Sequence, residues 1–324
     1  MAIPDVPMPP LPQAKLPGNR QHKTSAAAVA SLILGLFSCG FSCLTGIPAI
    51  VCGAIGLTNI RKSRQAAFGP ALSGEGLAVA GLVLGALGTL VAPVLVGLLL
   101  PAVQSAREAA RRSSCANNCR QIVLGMLNAE SVTQKIPVAI IDEQGRPLLS
   151  WRVAILPYVG ESALYEQFHL DEPWDSEHNR DLIRLMPPVY ACPSTPGPQE
   201  EGNTTYLAAA GKGMALGEPG ISPVRHGKSR VAGVSGGSFV DGFSKTILVV
   251  EVAPEDAVPW TKPSDFDCPP AKAHDLLFRG AAHAGGIHMA IFADGHISQV
   301  TSDMDSRVLS ALFTRAGGEN VSLD

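Results

Sequence analysis

Hydrophobic and polar positions in this chain separate into blocks rather than alternating evenly. Ser25 to Leu57 carries no charged residue, and neither does Gly76 to Ser105. A helix at the surface of a soluble core keeps a polar face. These runs have none, and each exceeds the about 20 residues that cross a bilayer as a helix. The pattern predicts membrane-inserted helices. As one helix, the first run would measure about 50 Å, too long for a hydrocarbon core of about 30 Å. Gly46-Ile47-Pro48 is the expected break, leaving either a hairpin of two short helices or one kinked, tilted span. Basic residues flank the run on both sides (Lys15, Arg20, Lys23; Arg61, Lys62, Arg64), which favours the hairpin. Arg107, Arg111, Arg112 and Arg120 then fall outside and argue the other way.

The two runs are also related to each other. Ala28-Val29-Ala30-Ser31-Leu32-Ile33-Leu34-Gly35 reappears as Ala78-Val79-Ala80-Gly81-Leu82-Val83-Leu84-Gly85. Small residues recur at one-turn spacing (Ala30, Ser31, Gly35; Gly81, Gly85, Gly88). That spacing either brings the two copies together or is the ordinary texture of an Ala/Gly/Leu membrane helix.

From Leu98 onward the residues are good helix formers, with Glu108 four before Arg112. One long helix is expected to leave the membrane, bend at Pro101 and end near Asn128. Strand-like runs follow: Trp151 to Pro157, Pro188 to Cys192, Thr204 to Ala210, Thr246 to Val252, and Ile287 to Ala293 followed by Ile297 to Thr301. The predicted fold class is α+β, with N-terminal transmembrane helices and then a long helix packed on a mostly antiparallel sheet. The expected divisions are a Pro-rich disordered tail at 1–24, a transmembrane helical domain at 25–101 and an outer α+β domain at 102–324. The tail offers no apolar run early enough for a secretory signal.

Composition narrows the function classes. Lys plus Arg number 25 against 28 Asp plus Glu, a net charge of -3, so a nucleic-acid partner is not expected. Charged residues are 16% of the chain, against roughly 25% in an average soluble domain, and mean hydropathy is +0.19. An ordinary cytosolic enzyme does not fit these values. No P-loop, dinucleotide fingerprint or G-x-S-x-G elbow is present.

The ordered motifs LLPAVQSAREAARR, CANNCRQI, SWRVAILPYVGESALYEQFHLDEPWDSEHN, PPVYACPS, DGFSKTILVVEV, VPWTKP and HAGGIHMAIFADGHI lie within the stretch from Leu98 to about Gly318. Together they resemble the planctomycete prepilin-type H-x9-DG family. The region before them resembles a small membrane-helix domain of unknown function. The resemblance implies a pilin-like fold, with the long helix half in the membrane and half on a sheet, and no established activity. The usual FTLxE opening of a pilin helix is replaced by LAVAG, so the anchor is expected to stay uncut. The family-motif residues are His283, Asp294 and Gly295, with ten residues between His283 and Asp294 rather than nine.

Candidate chemistry is thin. His283, His288, Asp294 and His296 form the densest polar group. If Asp294-Gly295 is a two-residue turn, Ala293 opposes His296, and His288 and His296 face opposite ways. That reading leaves Asp294 as a turn residue and assigns no metal ligands, no cofactor and no catalytic residues. Among the cysteines, Cys115 and Cys119 lie one helical turn apart, which disfavours a mutual bridge. As a zinc half-site the pair lacks a second half. A helix-to-sheet disulfide fits an oxidising compartment better, with Cys115–Cys192 the first pairing and Cys119–Cys268 the second. The acidic stretch around Trp174 and Asp175 reads as an ordered loop and an interaction surface. The expected protein is a membrane-anchored, pilin-like structural or interaction protein of the bacterial envelope. It would be multi-pass in the inner membrane, with its C-terminal domain outside, and would have lipid and unidentified protein partners. The alternatives are a membrane-tethered ligand-binding or sensor module and, more remotely, a metal-dependent hydrolase around His283 and Asp294.

Overall fold

The computed structural model describes residues 23–41, 43–65, 72–218, 221–226 and 229–319. Residues 1–22 of the expected N-terminal tail therefore lie outside the described residues, while Lys23 and Thr24, placed in the disordered tail by the sequence reading, form a short strand. The chain divides into two compact units, residues 1–104 and 105–324.

In the first unit, strand β1 (Lys23–Thr24) pairs in parallel with β2 (Leu72–Ser73). The helices are α1 (Ala26–Phe41), α2 (Cys43–Gln65) and the first part of α3 (Glu75–Thr133). The expected break at Gly46 to Pro48 is not where the helices separate. Pro48 lies inside α2, which begins at Cys43, and α1 ends at Phe41. Pro48 is the sixth residue of α2, past the four N-terminal donors that have no intrahelical partner, so it removes one hydrogen bond from the helix, the one to the Leu44 carbonyl. Two helices, Leu44–Gln65 and Glu75–Thr133, are long and apolar enough to cross a membrane, while Ala26–Ser38 is a shorter apolar helix.

Small residues bring these helices together, including the two repeat copies. A Cβ added at Gly81 would overlap the backbone of Ser31, and one at Gly88 would overlap Ser38. Ser31 Oγ donates to the Ala49 carbonyl at 3.0 Å, and Ser38 Oγ to the Leu84 carbonyl at 3.0 Å. Large side chains such as Leu36, Val83, Leu90 and Leu95 are left exposed.

The second unit is α+β with antiparallel sheets. The remaining strands are β3 (Ile136–Ile141), β4 (Pro147–Ser150), β5 (Asn203–Thr204), β6 (Tyr206–Ala208), β7 (Ile221–His226), β8 (Ser229–Val234), β9 (Ile247–Glu251), β10 (Val258–Pro259), β11 (Ile287–Phe292) and β12 (Ile297–Thr301). One four-stranded sheet has the order β4-β3-β8-β7 and the other β12-β11-β9-β6, with β5 and β10 forming a small pair. Two sheets thus replace the single one expected. β3 and β7 escaped the sequence reading because Pro137 and Pro223 interrupt strand-like runs.

Residues 105–133 of α3 supply a core stripe: Cys115, Cys119, Ile122, Met126 and Ala129 are all buried. The spacing alternates four and three residues, one face of a helix. The helix continues past Asn128 to Thr133 and is capped by Gln134, whose φ of 59° is left-handed.

Two predicted strands are helical turns instead. Trp151–Ala154 is a short α-helix, capped by Ser150 Oγ accepting from the Arg152 backbone N–H, and Pro188–Tyr190 is a 3-10 turn. Apart from the exposed Pro188 their residues are buried, so the segments carry no polar period and pattern alone cannot assign them. Arg152 is fully buried there. It donates to the Tyr206 carbonyl, to Ser150 Oγ and, at 2.7 Å, to Asp265 Oδ1. Trp151 Nε1 and the Ala208 N–H complete the donors to Oδ1. Burial holds the Asp265 carboxyl above its ordinary value against the pull of Arg152 and these donors.

Candidate functional site

Four separate elements converge on one buried point in the second unit. α3 supplies Cys115, and the loop after the 3-10 turn Pro188–Tyr190 supplies Cys192. β9 ends on Glu251. His283 arrives just ahead of β11, its N–H donating to the Ile287 carbonyl at 3.1 Å. Gly285 and Gly286, with φ of 87° and 70°, make the reversal that turns His283 back toward the strand. Most side chains avoid that left-handed backbone, which explains the glycine pair. Asn118 fixes the Cys192 loop to α3, its Nδ2 donating to the Ala191 carbonyl at 2.8 Å.

Cys115 and Cys192 are joined as a disulfide, with Cα atoms 5.5 Å apart, inside the usual range for such a bridge. The Cys119–Cys268 pairing does not form. Both are buried free thiols, and Cys119 faces the core one turn further along α3.

His283 Nε2 lies 3.0 Å from Glu251 Oε2 and 3.9 Å from Cys192 Sγ. On its other side, Nδ1 lies 3.2 Å from Glu108 Oε1. Burial pushes the imidazole pKa down, but its hydrogen bonds to Glu251 and Glu108 outweigh burial and hold it above its ordinary value. Glu108 is held in turn by Arg111, whose Nη2 is 2.6 Å from Oε2. Its ion-pair partner is Arg111, three residues on, and not the Arg112 that the sequence spacing suggested. Glu251 is fully buried, and its second oxygen, Oε1, has no hydrogen-bond partner among the described residues. His288 is buried alongside, its ring between the carbonyls of Glu251 and Gly280, and burial lowers its pKa.

The other sequence candidates lie apart from this cluster. Asp294 and Gly295 form a turn, but it holds three residues. Phe292 N–H donates to the His296 carbonyl, and Gly295, at φ 93°, takes the left-handed position. Phe292 rather than Ala293 therefore opposes His296, which puts His296 on the same strand face as His288, contrary to the two-residue expectation. The two rings still lie four strand positions apart, about 13 Å. His296 is exposed, stacks on Phe292 and hydrogen-bonds Asp294 Oδ1 at 2.6 Å.

Trp174 is half-buried against the core with Lys262 over its ring, and Asp175 is exposed. Asn179 organises that acidic loop, accepting from the His169 N–H and donating to the carbonyls of His169, Glu172 and Pro173. A separate open groove of about 380 Å³ is lined by Val138, Ile141, Pro147, Glu218, Asp265 and Asp267.

Residues 104–279, more than half of the chain, match the family model described as a protein of unknown function (DUF1559). The chain belongs to that family. Residues 27–95 match a second model, a domain of unknown function (DUF4190). No curated protein and no solved structure shows a significant match. The DUF1559 match contains Cys115, Cys192 and Glu251 and ends just before His283.

Glu251 and Glu108 are the site residues that sequence reasoning missed. The available signal was Glu251 itself, a lone carboxylate closing the otherwise apolar run Ile247-Leu248-Val249-Val250. A buried strand that ends on a charge needs a partner for it.

Proposed function

We propose that this DUF1559 protein is a membrane-anchored, pilin-like structural or interaction protein of the bacterial envelope, with residues 105–324 outside the cytoplasmic membrane. The observation that carries the reading is the division of labour along α3. Its first part is apolar with large side chains uncovered, and its second part is the core helix of an α+β domain. The Cys115–Cys192 bridge supports the placement, because disulfides persist in oxidising compartments. The motif order from Leu98 onward supports the pilin-like assignment. Partners would bind through the ordered acidic loop at Trp174 and Asp175.

The test is protease shaving of spheroplasts combined with alkaline carbonate extraction and intact-mass measurement. The expected result is a protein that stays in the pellet, keeps the residues ahead of Gly76, and loses its C-terminal region to added protease without lysis. Release by carbonate would remove the anchor. A C-terminal region that is cut only after lysis would reverse the topology.

A further inference from the structure

We propose that Cys115, Cys192, His283 and Glu251, with the cysteines as thiols, form a zinc site, so that this centre holds either a disulfide or a metal ion. The ligand atoms of these four residues all lie within 4.8 Å of one another, and all four residues are buried. Two thiolates, an imidazole and a carboxylate make a donor set that Zn²⁺ accepts in tetrahedral geometry. With metal–sulfur bonds of about 2.3 Å, the two sulfurs must stand about 3.8 Å apart. Rotation of the two cysteine side chains provides that opening while the Cα atoms stay 5.5 Å apart. The nitrogen-to-oxygen gap in such a site is about 3.3 Å, close to the 3.0 Å between His283 Nε2 and Glu251 Oε2.

Two further observations point the same way. Glu251 Oε1 is buried beside the donor cluster without a hydrogen-bond partner among the described residues. His283 presents Nε2 to the cluster while Nδ1 faces Glu108. That is the carboxylate–histidine–metal arrangement in which an outer carboxylate fixes the tautomer and ring orientation of the ligand.

Exchange between the two states balances simply. A dithiol reductant gives two electrons and two protons to the Cys115–Cys192 bond, which breaks to two thiols, and the reductant closes to its own disulfide. Zn²⁺ binding then displaces both thiol protons and the His283 Nε2 proton to solvent. His283 binds through a deprotonated Nε2 and keeps its Nδ1 proton on Glu108. In the disulfide form the sulfurs no longer carry the thiolate charge that zinc needs.

The experiment uses the full chain in detergent, oxidised or reduced with a phosphine that is then removed without air. Zn²⁺ alone and Co²⁺ alone are the probes. The reduced chain should take up one ion per molecule. Its cobalt form should show thiolate-to-metal charge transfer and the intense visible bands of a tetrahedral ion. The oxidised chain and Cys192→Ser should show neither, and Glu108→Gln should bind about 10–100-fold more weakly. Equal uptake by the oxidised chain or by Cys192→Ser would place the metal elsewhere and overturn the proposal. So would absence of uptake by the reduced chain, whatever its state of folding. An unchanged affinity in both Glu108→Gln and His283→Gln would remove the histidine from the site.

Discussion

The two units bury opposite kinds of residue. In the first, Ala28, Ser31, Ser38, Ala49 and Ala78 are inside, and Leu36, Val83, Leu90 and Leu95 are outside. In the second, Trp151, Tyr190, Tyr206, Trp260 and Phe292 are inside together with Arg152, Glu251, His283 and His288. Helices that meet through glycine and serine gain close backbone approach, which matters where the solvent is itself apolar. A domain assembled in water gains by hiding large apolar groups, and any charge it hides must be paired. One amino-acid chain therefore follows two packing rules, and the change of rule falls within α3.

The largest expected effect breaks the paired-charge side of this comparison. Arg152→Met leaves Asp265 buried without its cation, and such a break costs about 3–5 kcal/mol. The residues Trp151, Trp174 and Trp260 all lie in the second unit, so tryptophan fluorescence during urea unfolding follows that unit alone. The midpoint should fall strongly in Arg152→Met and recover partly in the double variant Arg152→Met, Asp265→Leu. A loss below about 1 kcal/mol would mean that the pair behaves like a surface ion pair.

The next effect is confined to the other rule. A Cβ at Gly81 overlaps the backbone of Ser31, so Gly81→Val overpacks the contact between α1 and α3 by about 1–3 kcal/mol. Amide hydrogen exchange should accelerate in residues 26–38, while the tryptophan-detected midpoint moves by less than about 0.5 kcal/mol. An equal shift in both readouts would show that the two units unfold as one, and the contrast between them would lose its meaning.

How much of this was legible in the sequence differed between the units for the same physical reason. The absence of charge from Ser25 to Leu57 and from Gly76 to Ser105 exposed the apolar helices directly, and the Ala28 and Ala78 repeats marked the residues that meet. In the second unit, burial hid the periods. Trp151 to Ala154 is buried on every side and so carried no helical pattern, and Pro137 masked a central strand. The α+β class and the cysteine pair Cys115–Cys192 were accessible from residue types and order. The site was not, because its assembly depends on long-range returns: the Gly285-Gly286 reversal for His283 and the Asn118 anchor for Cys192. The turn at Asp294 was found, but its length was misjudged by one residue. In a strand, that is enough to move His296 to the other face.

The smallest effect sharpens the comparison at a single thiol. Cys268 is a free, buried cysteine of the second unit. Burial first and the neighbouring Asp267 second push its pKa up to about 11. Alkylation needs the thiolate, so at pH 8 roughly one Cys268 in a thousand is reactive. The rate for the Cys268 peptide, followed by mass mapping of the native chain, should rise about tenfold per pH unit from 8 to 10. In urea the same peptide should level off near its ordinary value of about 8.5. The linkage has a definite sign. The raised folded value stabilises the fold fully below about pH 8.5, and that contribution is lost as pH rises toward about 11, because the unfolded chain gives up its proton first. A native profile that already levels off near pH 8.5 would mean that labelling passes through an opened chain. The region around Cys268 would then be no better closed than the uncovered helices of the first unit.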